Sequence, residues 1–287
     1  MSNEQINKPL YTVQFKVVGA GVEIRLNDIP IHLNDAPGTT SSEIQVPQYI
    51  FNGLNELKVR TFCLEEDNNQ YRNGAYVIVS LHVKEKGAPS SQSKELLQFK
   101  LNPTLPEKQY FDGSLDFENA STPKLLNISN MEITASRSIQ IATSFPKWSW
   151  TEGQQLEKND TTRNSLLNSY KNIYNVLKDS NETELRKIYH KAASELATAY
   201  HYDDIENGYT LLSATDLMSD SRWSLLDMNQ MLDQFEYKLE VLADGKLARL
   251  IDEEGYSPIV YMRDDELVAM IPFYWYLNKN NEWVMIR

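Results

Sequence analysis

From Leu10 to about Thr143 apolar and polar residues alternate in short runs, as in Tyr11-Thr-Val-Gln-Phe-Lys-Val17 and Val22-Glu-Ile-Arg-Leu26. A period of two sends one set of side chains to each face of a strand. The same pattern predicts strands over 57–64, 76–83, 96–101 and 132–142. Between them lie loops rich in Pro, Gly, Ser and Asn, such as Asn34-Asp-Ala-Pro-Gly-Thr-Thr40 and Gly87-Ala-Pro-Ser-Ser-Gln-Ser93. Many short strands without helical patterns between them predict an antiparallel sandwich.

The period changes near Trp150. Leu166, Tyr170, Ile173, Tyr174 and Leu177 recur at three and four, and so do Leu185, Ile188, Tyr189, Ala192, Ala193 and Leu196. That spacing marks two amphipathic helices, broken near Asp179-Ser-Asn181, with Ser180 expected to cap the second. A third helix is predicted over 221–234. A five-strand meander should follow over 237–242, 247–251, 257–262, 267–277 and 283–286. Its turns are Asp244-Gly245, Asp252-Glu-Glu-Gly255, Asp264-Asp-Glu266 and Asn278-Lys-Asn-Asn281. Pro272, inside the longest of these strands, calls for a bulge or an edge position.

The predicted fold is therefore two-domain: an all-β antiparallel sandwich over 8–147 and an α+β domain over 155–287, helices first and meander second. The boundary falls between 145 and 160, where Phe145-Pro-Lys-Trp-Ser-Trp150 gives way to a polar stretch. The chain has 287 residues, 41% apolar and 24% charged, enough for two cores of ordinary size. One cysteine, Cys63, allows no internal disulfide and fits a reducing compartment. The start carries neither the basic cluster nor the apolar stretch of a secretory signal, so a cytoplasmic location is expected.

Charge adds an asymmetry. His201 to Arg287 holds 17 Asp and Glu against 7 Lys and Arg, which is −10 of the chain's −12. Such a segment repels nucleic acid and anionic membrane and attracts basic surfaces over about a Debye length. In a single meander alternate turns share one end of the sheet. Asp244 is then expected near Asp264, Asp265 and Glu266, with Asp252, Glu253 and Glu254 at the other end beside Lys279. In Phe273-Tyr-Trp-Tyr276 alternation leaves one pair, Tyr274 and Tyr276, on the face away from the core if Phe273 and Trp275 point inward.

Candidate chemistry is sparse. Val17-Val-Gly-Ala-Gly-Val-Glu23 has two glycines of a dinucleotide-binding turn, but Ile24 stands where the third is needed and strand residues follow. A hairpin turn at Gly19 to Gly21 is the expectation. His32, His82, His190 and His201 are scattered, so no metal site is expected. His201-Tyr-Asp-Asp204 is the best enzyme candidate, a histidine beside carboxylates that could orient a general base, but adjacent residues rarely face one another and a solvated helix end is the expectation. No catalytic residue, cofactor or metal is assigned.

Two stretches resemble known folds. Leu26-Asn-Asp-Ile-Pro-Ile31, then Ile44-Gln-Val-Pro47 and Phe51-Asn-Gly-Leu-Asn-Glu-Leu-Lys-Val59, resembles the skeleton of jelly-roll sandwiches, including those appended to glycoside hydrolases. There the asparagine serves a turn, and Gly-x-Asn-x-Leu turns into the next strand. Asp28 stands where that skeleton has glycine, and no sugar-binding residue carries over. The order of helices before a meander is similar to NTF2-like or cystatin-like cones. Taken whole, the chain resembles in general character the immunity proteins that protect bacteria from their own contact-delivered toxins, such as type VI secretion effectors. That resemblance implies a non-enzymatic protein that binds one cognate toxin with a basic surface and occludes its active site.

On this reading the partner-binding residues are Asp244, Asp252, Glu253, Glu254, Asp264, Asp265, Glu266, Tyr274 and Tyr276; nucleic acid and membrane are not partners, and oligomeric state stays open. One alternative is a small-molecule binder or enzyme using a cone cavity lined by Tyr261, Trp275 and His201. A second is a carbohydrate-binding sandwich, which needs coplanar aromatics exposed on one sheet face.

Overall fold

The structure is a computed structural model and describes residues 6–64, 67–212, 214–264 and 267–286. Two compact units are present, Met1–Lys147 with Ala199–His201, and Trp148–Thr198 with Tyr202–Arg287.

Among the described residues of the first unit nine strands follow one another: β1 (Pro9–Val18), β2 (Gly21–Leu26), β3 (Ile29–Asn34), β4 (Thr39–Gln45), β5 (Gly53–Phe62), β6 (Tyr76–Glu85), β7 (Lys94–Leu101), β8 (Lys124–Ile128) and β9 (Glu132–Ile141). They form two antiparallel sheets, ordered β4-β1-β6-β7 and β3-β2-β5-β9-β8. The alternation read in the sequence is the alternation of burial. Val13, Phe15 and Val17 of β1, and Val77, Val79 and Leu81 of β6, are buried. So are Val22 and Ile24 of β2 and Leu57 and Val59 of β5. This is the expected β-sandwich.

Its first turn differs from the expectation. β1 and β2 lie in different sheets, so Gly19 to Gly21 is a corner between sheets and not a hairpin. Gly19 has φ +64, and a Cβ on Gly21 would sit 2.3 Å from the Phe62 ring. A hairpin and a corner need the same glycine freedom, and only the long-range pairing of the flanking strands separates them.

The second unit opens with α1 (Asp160–Lys178) and α2 (Glu182–Ala199), followed by α3 (Ile205–Leu212), α4 (Ala214–Ser219), β10 (Trp223–Leu225) and α5 (Met228–Gln234). Asn159 caps α1 by accepting from Thr162 N at 2.9 Å. The cap of α2 is Asn181, whose Oδ1 accepts from Glu184 N at 3.1 Å, and not Ser180, which adopts φ +51. The expected third helix over 221–234 is a strand followed by a short helix, because Trp223 to Leu225 pairs with the strand at 261–263.

Then come β11 (Lys238–Leu242), β12 (Leu247–Ile251), β13 (Val260–Arg263), β14 (Leu267–Met270), β15 (Trp275–Leu277) and β16 (Trp283–Met285). The expected single meander is two sheets, β10-β13-β14 and β11-β12-β15-β16. The long strand predicted over 267–277 breaks at Ile271-Pro-Phe-Tyr274, where proline lacks the donor a ladder needs. α1 and α2 pack onto this unit's core through Leu166, Tyr170, Ile173, Leu185, Tyr189 and Ala192, against Leu239, Leu250, Phe273 and Trp275. This is the α+β domain. Among the described residues no helix is long and apolar enough to cross a membrane.

Candidate functional site

The acidic turns divide into structural and exposed carboxylates. Asp252 is 7% exposed, and its Oδ1 accepts from Glu254 N at 3.0 Å and Tyr256 N at 2.8 Å. It shapes its own turn and is withdrawn from the partner-binding set. Glu253 and Glu254, the next two residues, are exposed. Asp244 is exposed at φ +53, with its carbonyl accepting from Gln155 Nε2 at 2.7 Å. Asp264 is exposed beside Arg263, 3.8 Å away. Asp265 and Glu266 lie outside the described residues.

The expected grouping of turns does not hold. Asp244 and Asp264 belong to turns of different sheets, and the Asp244 and Glu253-Glu254 turns sit at opposite ends of β12. Because β15 runs antiparallel to β12, the turn bearing Lys279 lies at the Asp244 end, not beside Asp252. The segment at 153–156 binds both turns there: Gln154 Nε2 donates to Asn278 O at 2.6 Å and Leu156 N to Gly245 O at 2.8 Å.

Tyr274 and Tyr276 are also corrected. They are 4% and 7% exposed, so neither face of Phe273-Tyr-Trp-Tyr276 is open. Tyr274 OH accepts from Arg249 Nη1 at 3.2 Å, and the Arg249 guanidinium, paired with Glu240 at 2.5 Å, also lies 5.4 Å from the Tyr274 ring centre. Tyr276 packs close to Gly153. Alternation places side chains on two faces, but which face meets a second layer is decided by the rest of the fold.

Tyr261 and Trp275, named for the cone-cavity alternative, are 3% exposed each, and Trp275 edges a hollow of about 480 Å³ with Trp283 and His190. Tyr261 and Trp275 are packed into the core with Tyr170 and Phe273, where Tyr170 OH donates to Phe273 O and accepts from Leu250 N, each at 3.2 Å. Burial pushes the Tyr261 hydroxyl up to about 12. The hollow beside Tyr170 measures about 130 Å³. His201 belongs to the first unit, where its ring stacks on Phe145 at 5.5 Å and its Nε2 lies 3.0 Å from Pro9 O. Asp204 accepts from Glu206 N at 2.9 Å and starts α3. Histidine and carboxylate are thus used separately, each in a structural contact.

Three features of the sandwich unit were not read from the sequence. One is a cleft of about 1060 Å³, walled by inward-facing Tyr11, Val83, Ile139 and Ile141 and rimmed by Asn52, Glu95, Glu118 and Gln140. Another is buried Arg137, which donates to Ser121 O and Leu115 O at 2.6 Å and to Gln98 O, and lies over the Phe117 ring. Burial lowers its pKa. Its signal was legible: Arg137 occupies the inward register of Ile133, Ala135, Ile139 and Ile141. The third is Ser80-His82-Glu95. Ser80 Oγ is 2.8 Å and Glu95 Oε1 3.8 Å from the same nitrogen, His82 Nε2. A nucleophile-base-orienter relay needs both ring nitrogens, so this cluster is not one.

On the outer face of the second sheet Glu23 binds Arg25 at 2.7 Å and Arg60 at 2.8 Å. Burial raises its pKa, but the two guanidinium groups prevail and hold it below the usual carboxylate range. Among the described residues no group of three or more His, Cys, Asp or Glu could hold a metal ion. No protein-family model, curated protein or solved structure matches the chain.

Proposed function

We propose that the chain is a non-enzymatic protein-binding protein of the immunity type, which binds a cognate bacterial toxin through that toxin's basic surface and blocks its active site. The recognition site is the exposed Glu253-Glu254 turn of the acidic second unit, and Asp244 and Asp264, on separate turns, add to the field of that unit without sharing its surface. The observation that carries the reading is the exposure of Glu253 and Glu254, neither of which forms an ion pair among the described residues. Carboxylates left free in a segment of charge −10 extend a negative potential into solvent, which speeds encounter with a cationic partner and rejects anionic ones. The test is a calorimetric titration against the protein encoded by the adjoining gene. Glu253→Lys with Glu254→Lys should weaken binding about tenfold or more. Unchanged affinity and salt dependence in that variant would remove the acidic unit from the proposal.

The cleft in the sandwich unit favours one other reading, a small-molecule binder: its apolar walls and amide and carboxylate rim match the usual make-up of a ligand pocket. The carbohydrate reading loses support, since among the described residues no aromatic of this unit is exposed. A thermal-shift screen of small metabolites tests the cleft separately from toxin binding.

A further inference from the structure

The hollow beside Tyr170 opens next to the Glu253-Glu254 turn. Gly255 and Tyr256, which follow the two glutamates directly, line it. Its inner walls include Tyr170 and Phe273, both fully buried, and its outer ones Tyr256, 40% exposed, and exposed Pro272. The Tyr170 hydroxyl is already engaged as donor to Phe273 O and acceptor from Leu250 N, so the inner walls present mainly apolar surface. Arg249, paired with Glu240, completes the lining on one side. The turn is fixed from within: Asp252 Oδ1 accepts from Glu254 N and Tyr256 N, and Asp252 N donates to Tyr256 O at 3.0 Å. A turn ordered before binding adds little entropy cost on association.

On the reading that the Glu253-Glu254 turn recognises the toxin, we propose that this hollow is the anchor of that site: the partner protein inserts one aliphatic side chain of leucine or methionine size, carried between lysines or arginines that meet Glu253 and Glu254. Size excludes the other occupants. The hollow measures about 130 Å³, well below the roughly 300–1,000 Å³ of small-molecule pockets. It falls just short of the roughly 150 Å³ of an apolar cavity that holds one benzene molecule, which leaves room for a single aliphatic side chain. Charge then sorts the residues around it. A cation inside would face Arg249, whereas cations at the mouth meet two exposed carboxylates that form no ion pair among the described residues. An apolar anchor in a preformed pocket supplies affinity, and the charged rim supplies rate and specificity.

Two measurements on the full chain test the anchor. In an amide chemical-shift titration, the end-blocked tripeptide Lys-Leu-Lys should move the signals of Gly255 and Phe273 with a millimolar half-saturation, and Lys-Gly-Lys and Glu-Leu-Glu should bind at least about fivefold more weakly. In calorimetry with the adjoining-gene protein, Tyr256→Ala should keep its unfolding midpoint and weaken binding about tenfold with the salt dependence unchanged, whereas Glu253→Lys with Glu254→Lys should alter both affinity and salt dependence. No response to Lys-Leu-Lys, equal responses to the three peptides, or full affinity of Tyr256→Ala beside a weakened lysine variant overturns the anchor alone. Full affinity of the lysine variant overturns the acidic site itself.

Discussion

Asn27 donates from Nδ2 to Asn55 Oδ1 at 2.9 Å, and the two amides together tie the β2–β3 turn to the approach of β5. Asn27 Nδ2 also reaches Tyr49 O, and its Oδ1 accepts from Glu56 N. Asn55 Nδ2 donates to Phe51 O and Gly53 O, and its Oδ1 accepts from Phe51 N. The turn itself places Asn27 and Asp28 at φ 53 and 64, the double left-handed conformation of a tight hairpin. Asn55→Ala leaves buried backbone groups without partners and should destabilise the sandwich by about 2–3 kcal/mol in urea unfolding. Asn27→Gly keeps the backbone freedom and loses only the side chain, so about 1–2 kcal/mol is expected. A loss under half a kcal/mol for Asn55→Ala would contradict this assignment.

Arg137 satisfies three carbonyls at once, one of them on β7 and two in the 115–121 segment. Arg137→Met fits the space but abandons those acceptors, and a cost of about 3 kcal/mol or more is expected in thermal or urea unfolding. Arg137→Lys should recover only part of it, because an ammonium cannot reproduce the planar fork. Full recovery by lysine would mean that charge alone matters there.

His32 lies against Phe15 with ring centres 4.3 Å apart, and burial lowers its pKa from 6.5. His82 is lowered as well, chiefly by burial and against the pull of Glu95 and Glu43. A depressed folded value means that the unfolded chain binds more protons below pH 6.5. The stability contribution is therefore complete above 6.5 and lost as pH falls toward the folded values. The urea midpoint of the sandwich unit should drop as pH falls below 6.5. His32→Phe should shallow that drop, and an unchanged slope would contradict the burial argument.

Gly208 of α3 approaches α2 so closely that a Cβ there would sit 1.9 Å from Ala193 O. Gly208→Ala should cost several kcal/mol, since backbone and not a flexible side chain must move. Gly38→Ala, where a Cβ meets nothing within 4 Å, should lose only the strain of its positive φ. Differential scanning calorimetry of the two variants provides the comparison.

Local order was readable wherever one face alone meets a core. Leu247–Ile251 and Tyr76 onward were placed as strands by alternation, and Tyr170, Ile173 and Leu177 marked a helix by their spacing. What escaped depended on distant pairing. Trp223 to Leu225 forms a strand only because β13 lies alongside, and Pro272 divided a meander whose apolar run looked continuous. The site suffered most. Asp252 has the composition of a docking residue and the hydrogen bonds of a turn former, and Tyr274 is held by Arg249, 25 residues away in sequence.

The account rests on free carboxylates of the second unit steering a cationic partner, and the association rate at several ionic strengths tests that most directly. Stopped-flow mixing with the adjoining-gene protein should show a rate for the wild type that falls steeply with salt, and a slower, flatter dependence for Glu253→Lys with Glu254→Lys. Identical salt slopes for the two proteins would contradict it.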